Sequence, residues 1–433
     1  MERVIPTQST DSSSNALTQA PSTSLDLGLS DVPPTYTIDL SLPPSQRYVQ
    51  VASDYKALVS DLTGLFKDIV SEFGFPAGLV TTLARIFLWR LFSKEQTEEI
   101  RGISKATGVD MYLLVAFNTL LDLFMGCTSG GVKVKDGKDA KMLHFRTLDW
   151  GMDALRKVIV QLEFVKKPGG DVIARTVSYI GFVGVLTGVR KDLSVSLNFR
   201  PYHNDDTSRV TNFKFYGHHL LVLLGLRPSI SSNLRELVIP KRNASILSKR
   251  TAKPLPSLVE IMQDFPAKPT TAAYLIFSDG ETTAVMEKDR VTADVRTSKS
   301  FIVATNHDAS CEGSSKQYVT RAKQHIALGM QDLVDESMDR KACISKKWKS
   351  VSRKYMRSHP EGTIDDVYIT KENLMDWVED YPITNEETHF AAILDPKTGD
   401  VTWIRRWENT AVPPADGTSS TCSYVHLGAP RED

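Results

Sequence analysis

The first 126 residues of this 433-residue chain contain no cysteine. Only Cys127, Cys311, Cys343 and Cys422 are present. They form no CxxC pair, which removes the usual zinc and redox spacings, and they are too few for a disulfide framework. Neither sign of charge is in excess. With 52 basic and 52 acidic residues the formal net charge is zero, so no basic field draws the chain to nucleic acid. The amino terminus, MERVIPTQSTDSSSNALTQAPSTS, lacks the continuous apolar core of a secretory signal. The expected location is therefore intracellular, with a lysosome-like or vacuolar compartment left open. Long uncharged apolar runs are missing too. Residues 74–92 are strongly apolar, but Pro76, Arg85 and Arg90 interrupt them. A spanning helix wants about 20 residues with few or no charges. The segment reads instead as a buried helix, or as an apolar surface that touches lipid.

What is present is an ordinary globular balance, 41% apolar and 24% charged, in a chain long enough for two domains or one large one. Residues 1–33 are rich in Ser and Thr, low in large apolar residues, and expected to be disordered. YTIDLSL alternates like a strand. Val51, Tyr55, Leu58, Leu62, Leu65 and Ile69 recur at helical spacing, which predicts a helix over 46–73. Further helices are predicted over 93–107 and in MYLLVAFNTLLDLFM. The character then changes. VKVKDGKDAKMLHFRTLDW reads as a hairpin about Asp136-Gly137, and KVIVQLEFV pairs with DVIARTVSY about Pro168–Asp171. DLSVSLNF, AAYLIFSD, TTAVMEKD and SFIVATNH are further strands, and FAAILDP with GDVTWIRRW closes the chain as a hairpin. FYGHHLLVLLGL and LPSLVEIMQDF look helical. Residues 322–387 are charged, mostly helical, and expected to be a peripheral insertion. A helical region over 34–126 followed by a strand-rich region over 127–433 predicts an α+β fold.

The stretch FMGCTSGG places Cys127 just after an apolar run, where a chain can be cut, and not inside it. Thiolate is the reactive form, and a thiol pKa of about 8.5 leaves little of it near neutrality. Catalysis then needs a base or a nearby cation. One route is papain-like, with His144 or His307 as base, although no CGSCW signature is present. The other is an N-terminal nucleophile. The chain cuts itself between Gly126 and Cys127, and the freed α-amine, with a pKa of about 7.7–8.0, becomes the base. The hairpin returns HFRTLDWG toward Cys127, which brings Arg146 and Asp149 beside it. These two sit three apart, so a bend or bulge is expected to aim both into one site. The bland alternatives are a packed small apolar cysteine and a surface ion pair.

YTIDLSLPPSQRY, FNTLLDLFMGCTSG, HFRTLDWG, SYIGFVGVLTGVR, SVSLNFR, AYLIFSDG, VATNHD and FAAILDPKTGDV occur in that order from about 36 to 406. Together they resemble the acid ceramidase family, which includes the N-acylethanolamine-hydrolysing acid amidases and is related to the choloylglycine hydrolases. The resemblance implies an N-terminal-nucleophile hydrolase with an αββα sandwich. It implies a precursor cut into an α subunit, 1–126, and a β subunit, 127–433, that stay together as a heterodimer. Cys127 would be the nucleophile, flanked by Arg146 and Asp149. Asn306 would supply the oxyanion hole, and Arg321 in YVTRAK would be the later arginine. Asn198 and Trp150 would meet substrate. The implied substrate is a lipid, ceramide or another N-acyl amide such as an N-acylethanolamine, with peripheral contact to a lipid surface and no metal or organic cofactor. A non-catalytic lipid-binding protein of the same fold is the alternative of another class. The chain departs from the pattern in having Phe199 where the family has Glu, and no cysteine before 127 to tie the pieces. The basic run KKWKSVSRKYMR, 346–357, reads as a solvated helix face or as a contact for anionic lipid.

Overall fold

The computed structural model describes residues 31–61, 77–120, 125–137, 139–201, 203, 208–240, 254–311 and 331–408. The amino-terminal region contributes β1 (Thr35–Asp39), α1 (Val49–Asp54), α2 (Lys56–Asp61), α3 (Ala77–Phe87), α4 (Lys94–Thr107) and α5 (Met111–Leu120). The helix predicted over 46–73 is broken at Tyr55, and its later half lies outside the described residues. Most of the leader expected to be disordered, 1–30, lies outside them as well. Local sequence sets the limits of α4. The Ser93 side chain accepts the Gln96 N–H at its start, and Gly108 at φ 86° closes its end.

The remainder supplies β2 (Gly126–Asp136), β3 (Asp139–Asp149), β4 (Ile159–Val165), β5 (Val172–Tyr179), β6 (Thr187–Arg190), β7 (Leu193–Phe199) and β8 (Ala273–Ser278). After these come β9 (Thr283–Lys288), β10 (Ala293–Ser298), β11 (Phe301–Ala304), β12 (Thr388–Asp395) and β13 (Asp400–Arg406). Between the strands lie α6 (Arg209–Leu223), α7 (Ile230–Val238), α8 (Leu258–Asp264), α9 (Gln331–Ser358) and α10 (Lys371–Glu379). One sheet has the order β1-β4-β5-β6-β7-β8-β9-β10, the other β11-β2-β3-β12-β13.

The two sheets stack face to face. His144 on β3 bonds Ser194 and Ser196 on β7 at 2.8 Å each, and the Ser129 hydroxyl on β2 donates to Asn198 Oδ1 at 2.8 Å. Gly131 permits this approach. A Cβ on Gly131 would fall 2.0 Å from Thr283 Oγ1 on the opposing sheet. α9 and α10 cover the outer face of the smaller sheet through Val132, Phe145, Ile344, Leu374, Val378 and Ile393. α7 lies on β6 and β7. The layering is therefore αββα, as the resemblance implied.

Three features differ from the sequence reading. β10 is a strand at a sheet edge with no buried residue, and it carries no apolar alternation to announce it. α9 is not a solvated appendage: its own Ser337, Arg340 and Ile344 are buried. Cys343, on the same helix, is disulfide-bonded, a single link that the sequence reading, which excluded only a disulfide framework, did not foresee.

Sheet pairing and buried charge join the amino-terminal region to the rest. β1 pairs in parallel with β4. Glu99 on α4 accepts from Arg47 at 2.8 Å and from Arg235 on α7 at 2.6 and 2.7 Å, all three side chains being buried. Removing the anion strands the buried Arg235 guanidinium, while Arg47 keeps Glu95 at 2.5 Å, so Glu99→Ala is expected to cost about 3 kcal/mol. Urea unfolding of the full chain measures it; an unchanged midpoint would remove the network as a source of stability.

Candidate active site

Cys127 is the second residue of β2, so it sits on a strand and not in a loop after a helix. β2 and β3 pair in unbroken register, with Gly126 opposite Asp149, Cys127 opposite Leu148 and Ser129 opposite Arg146. No bulge lies between Arg146 and Asp149, contrary to expectation. Simple alternation decides the geometry. Arg146 shares the Cys127 face and enters the space between the sheets. Asp149 turns the other way, toward α9. The site thus straddles the end of the hairpin.

On the inter-sheet side, Arg146 Nη2 lies 3.3 Å from Cys127 Sγ. Arg146 Nη1 donates to the carbonyls of Leu186 at 3.0 Å and Leu197 at 2.7 Å. Burial pushes the Cys127 thiol up to about 11, and the Arg146 cation opposes that rise without cancelling it. The thiol is therefore protonated near neutrality.

On the helix side, Asn306 engages the residues around the Gly126–Cys127 bond. Its Oδ1 accepts the Cys127 N–H at 2.8 Å and Arg340 Nη2 at 2.8 Å. Its Nδ2 donates to the carbonyls of Met125 at 3.0 Å and Phe199 at 2.8 Å. The Asn306 N–H donates to Ser337 Oγ at 2.6 Å. Ser337 and Arg340 are three apart on α9, so one helix face supplies both contacts. Arg340 Nε lies 3.7 Å from Asp149 Oδ2. Burial pushes the Asp149 carboxyl up, against the Arg340 cation and a hydrogen bond from the Thr388 hydroxyl. Glu336 and Glu387 beside it are pushed up by burial too. Gly126 accepts this packing because it has no side chain; a Cβ there would lie 3.2 Å from Asp149 Cβ.

The expected residues separate into groups. Cys127, Arg146, Asp149 and Asn306 are brought together with Gly126. Arg321 lies outside the described residues. Arg340 was missed; it sits in a charged helix that gives no hint of burial, and its contact partners are far away in sequence. Asn198 is fully buried and its amide is spent on structure. Its Nδ2 donates to the carbonyls of Ala304 and Thr305, which holds the strand leading into Asn306. Trp150 is buried edge-on against Tyr179, and its backbone N–H donates to the Glu387 carbonyl. His144 has both ring nitrogens engaged and is pushed down to about 3 by burial. His307 is likewise pushed down to about 3 and bonds Ser337 at 2.7 Å. The papain-like route therefore loses both of its candidate bases.

A rise from 9.0 to about 11 lowers the thiolate fraction near neutrality about 100-fold. Cys127 in the folded, uncut chain is expected to alkylate with iodoacetamide at least that much more slowly than in the urea-unfolded chain. Intact mass reads the labelling, and equal rates would contradict the burial.

A family model described as the beta subunit of N-acylethanolamine-hydrolyzing acid amidase matches residues 31–92. It attaches the word beta to the amino-terminal region, where the resemblance had suggested α. Among curated proteins, acid ceramidase of Heterocephalus glaber and of Rattus norvegicus are each 29% identical over 185 residues, and that of Homo sapiens is 28% identical. Each match covers 39% of this chain and 45% of the relative, so less than half of each relative's length is matched. The solved structure of a Caenorhabditis elegans N-acylethanolamine-hydrolyzing acid amidase ortholog aligns with a TM-score of 0.44 at 18% identity, over 65% of this chain and all of that one. The family model and the curated relatives point the same way as the motifs, toward the acid ceramidase and N-acylethanolamine-hydrolysing acid amidase family.

Proposed function

We propose that the chain is a self-activating amidohydrolase of lipid amides. The observation that carries this reading is the cluster at one peptide bond. The Cys127 N–H is held by Asn306 at 2.8 Å while the Cys127 thiol is held by Arg146 at 3.3 Å. In self-cutting, Sγ attacks the Gly126 carbonyl carbon, the bond to the Cys127 nitrogen breaks, and that nitrogen takes the thiol proton as it becomes an amine. Water then hydrolyses the thioester and restores the thiol. Cutting also releases the Met125 carbonyl from Asn306 Nδ2, which frees an N–H for a substrate oxyanion. In turnover, the thiolate attacks the acyl carbon of the substrate. The α-ammonium of Cys127 protonates the leaving amine, and water completes hydrolysis with the same amine as base.

Ceramide is the substrate we assign, with N-acylethanolamines as the second reading. A lipid source is favoured by the surface. Leu83, Ile86, Phe87, Trp89 and Phe92 are exposed in and after α3, and Val210, Phe213, Tyr216 and Leu220 are exposed along α6. Both helices pack on α5, and Gly225 after α6 abuts the Arg90 backbone, so the two groups adjoin. No helix among the described residues is long and apolar enough to cross a membrane, so contact would be with a lipid surface.

Intact mass and N-terminal sequencing test the first half. Two chains are expected, the second beginning Cys-Thr-Ser-Gly, and Cys127→Ala should give one uncut, inactive chain. A wild-type chain that stays whole in neutral and acidic buffer while binding lipid would instead support the non-catalytic alternative. Comparing kcat/KM on ceramide and on an N-acylethanolamine separates the substrate readings. Ile86→Asp with Phe213→Asp is expected to lower hydrolysis of vesicle-borne ceramide at least ten-fold, with a short, water-soluble N-acyl amide hydrolysed as before; equal losses on both would argue against a lipid-facing surface.

A further inference from the structure

We infer that Thr388 is a positioning residue that assigns separate tasks to the two oxygens of Asp149, a role that rests on the self-cutting reading above. β12 begins at Thr388, which pairs with Asp149; the next pair is Phe390 with Leu148, and His389 is the extra residue. The bulge sends His389 to the Tyr179 hydroxyl, 2.8 Å from its Nδ1, and leaves Thr388 facing Asp149. Both Thr388 and Asp149 are buried.

A hydroxyl has a single proton. The Thr388 oxygen accepts the Asn385 N–H at 2.9 Å, and its proton goes to Asp149 Oδ1 at 2.7 Å. Neighbours fix this orientation. The Thr388 N–H donates to the Asn385 carbonyl at 3.1 Å, and the Thr388 carbonyl accepts from Arg156 Nη1. Arg156 is itself fully buried and also donates to the Glu386 carbonyl at 2.5 Å. Oδ1 is therefore committed as an acceptor. Any proton on this carboxyl resides on Oδ2, which has no hydrogen-bond partner among the described residues. That oxygen lies 3.6 Å from where a Cβ on Gly126 would be. Gly126 supplies the carbonyl of the bond to be cut, so the oxygen free to exchange a proton is the one beside it.

The charged and titratable groups acting on Asp149 are Arg340 and Glu336 of α9, Arg146 of β3, Arg156 of the turn Asp153–Val158, Glu387 before β12, and Cys127. Burial raises the carboxyl, and the Thr388 hydrogen bond, which favours the charged form, holds the rise in check. Removing that donor raises it further, and the limb of a pH profile that Asp149 governs moves to higher pH.

The test is the rate of self-cutting of the full chain against pH, read by intact mass. Thr388→Val keeps the shape of the side chain and lacks the donor; its limb is expected to move up by about half a pH unit or more. Thr388→Ser keeps the hydroxyl and is expected to retain the wild-type profile. Thr388→Val with the wild-type profile overturns the inference, and so does a Ser variant shifted as far as Val, because packing would then be the cause. Should the Val chain not fold, Thr388→Cys takes its place, with an upward shift expected and an unshifted limb overturning the proposal. Failure of the wild-type chain to cut at any pH would strike the self-cutting reading itself; an unshifted variant in a chain that cuts would strike only Thr388.

Discussion

The centre of this molecule is a guanidinium that has to be kept satisfied away from water. Arg146 is fully buried between two sheets. It holds its place by donating to two carbonyls of the opposing sheet and to one sulfur. Those carbonyls belong to Leu186 and Leu197, on either side of the β6–β7 turn, so the sheets must meet in one register for the charge to be tolerated. The small residues around it follow from the same demand. Gly131 lets the sheets approach, and Ser129 reaches Asn198 where a larger side chain would hold them apart.

That cation is met by a divided set of partners. The thiol lies on its own face, whereas Asp149, one register step from Cys127 across the hairpin, lies on the other with Arg340. Two arginines and one carboxyl surround a single peptide bond, and Asn306 spans them with every hydrogen-bonding group of its side chain in use. Such a centre is stiff. Its polar members are fully enclosed, so each hydrogen bond acts in a low dielectric and a misplaced proton is costly.

Much of this was readable beforehand, for local reasons. The Asp136-Gly137 turn fixes the β2–β3 hairpin, and the hairpin brings Arg146 to Cys127. Strand alternation also contained the facing of Asp149, had it been trusted over the idea of a bulge. The bulge does exist, but in β12, where THFAAILD shows only a strand-like run. Asn306 was legible through the motif around it and not through its chemistry. Arg340 and Ser337 were not legible, because they act across a long sequence separation from a helix whose charge suggests solvent. Asn198 was read as a substrate contact, whereas its buried amide is consumed by backbone carbonyls. β10 was missed because an edge strand facing water needs no apolar period.

The parallel pairing of β1 with β4 bears on the order of events in the life of the chain. β1 is the edge strand of the larger sheet, and it reaches that edge while covalently tethered to everything that follows. In one chain, closing this pair is an intramolecular step whose entropic cost grows slowly with the length of the intervening loop. A break after Gly126 would leave the β1–β4 pairing in place and remove the tether. Refolding after such a break becomes an encounter of two molecules, dependent on their concentration. Folding and cutting would then form a one-way sequence: the architecture assembled as a single polymer would persist as a pair whose separated halves no longer hold the information to find one another at high dilution.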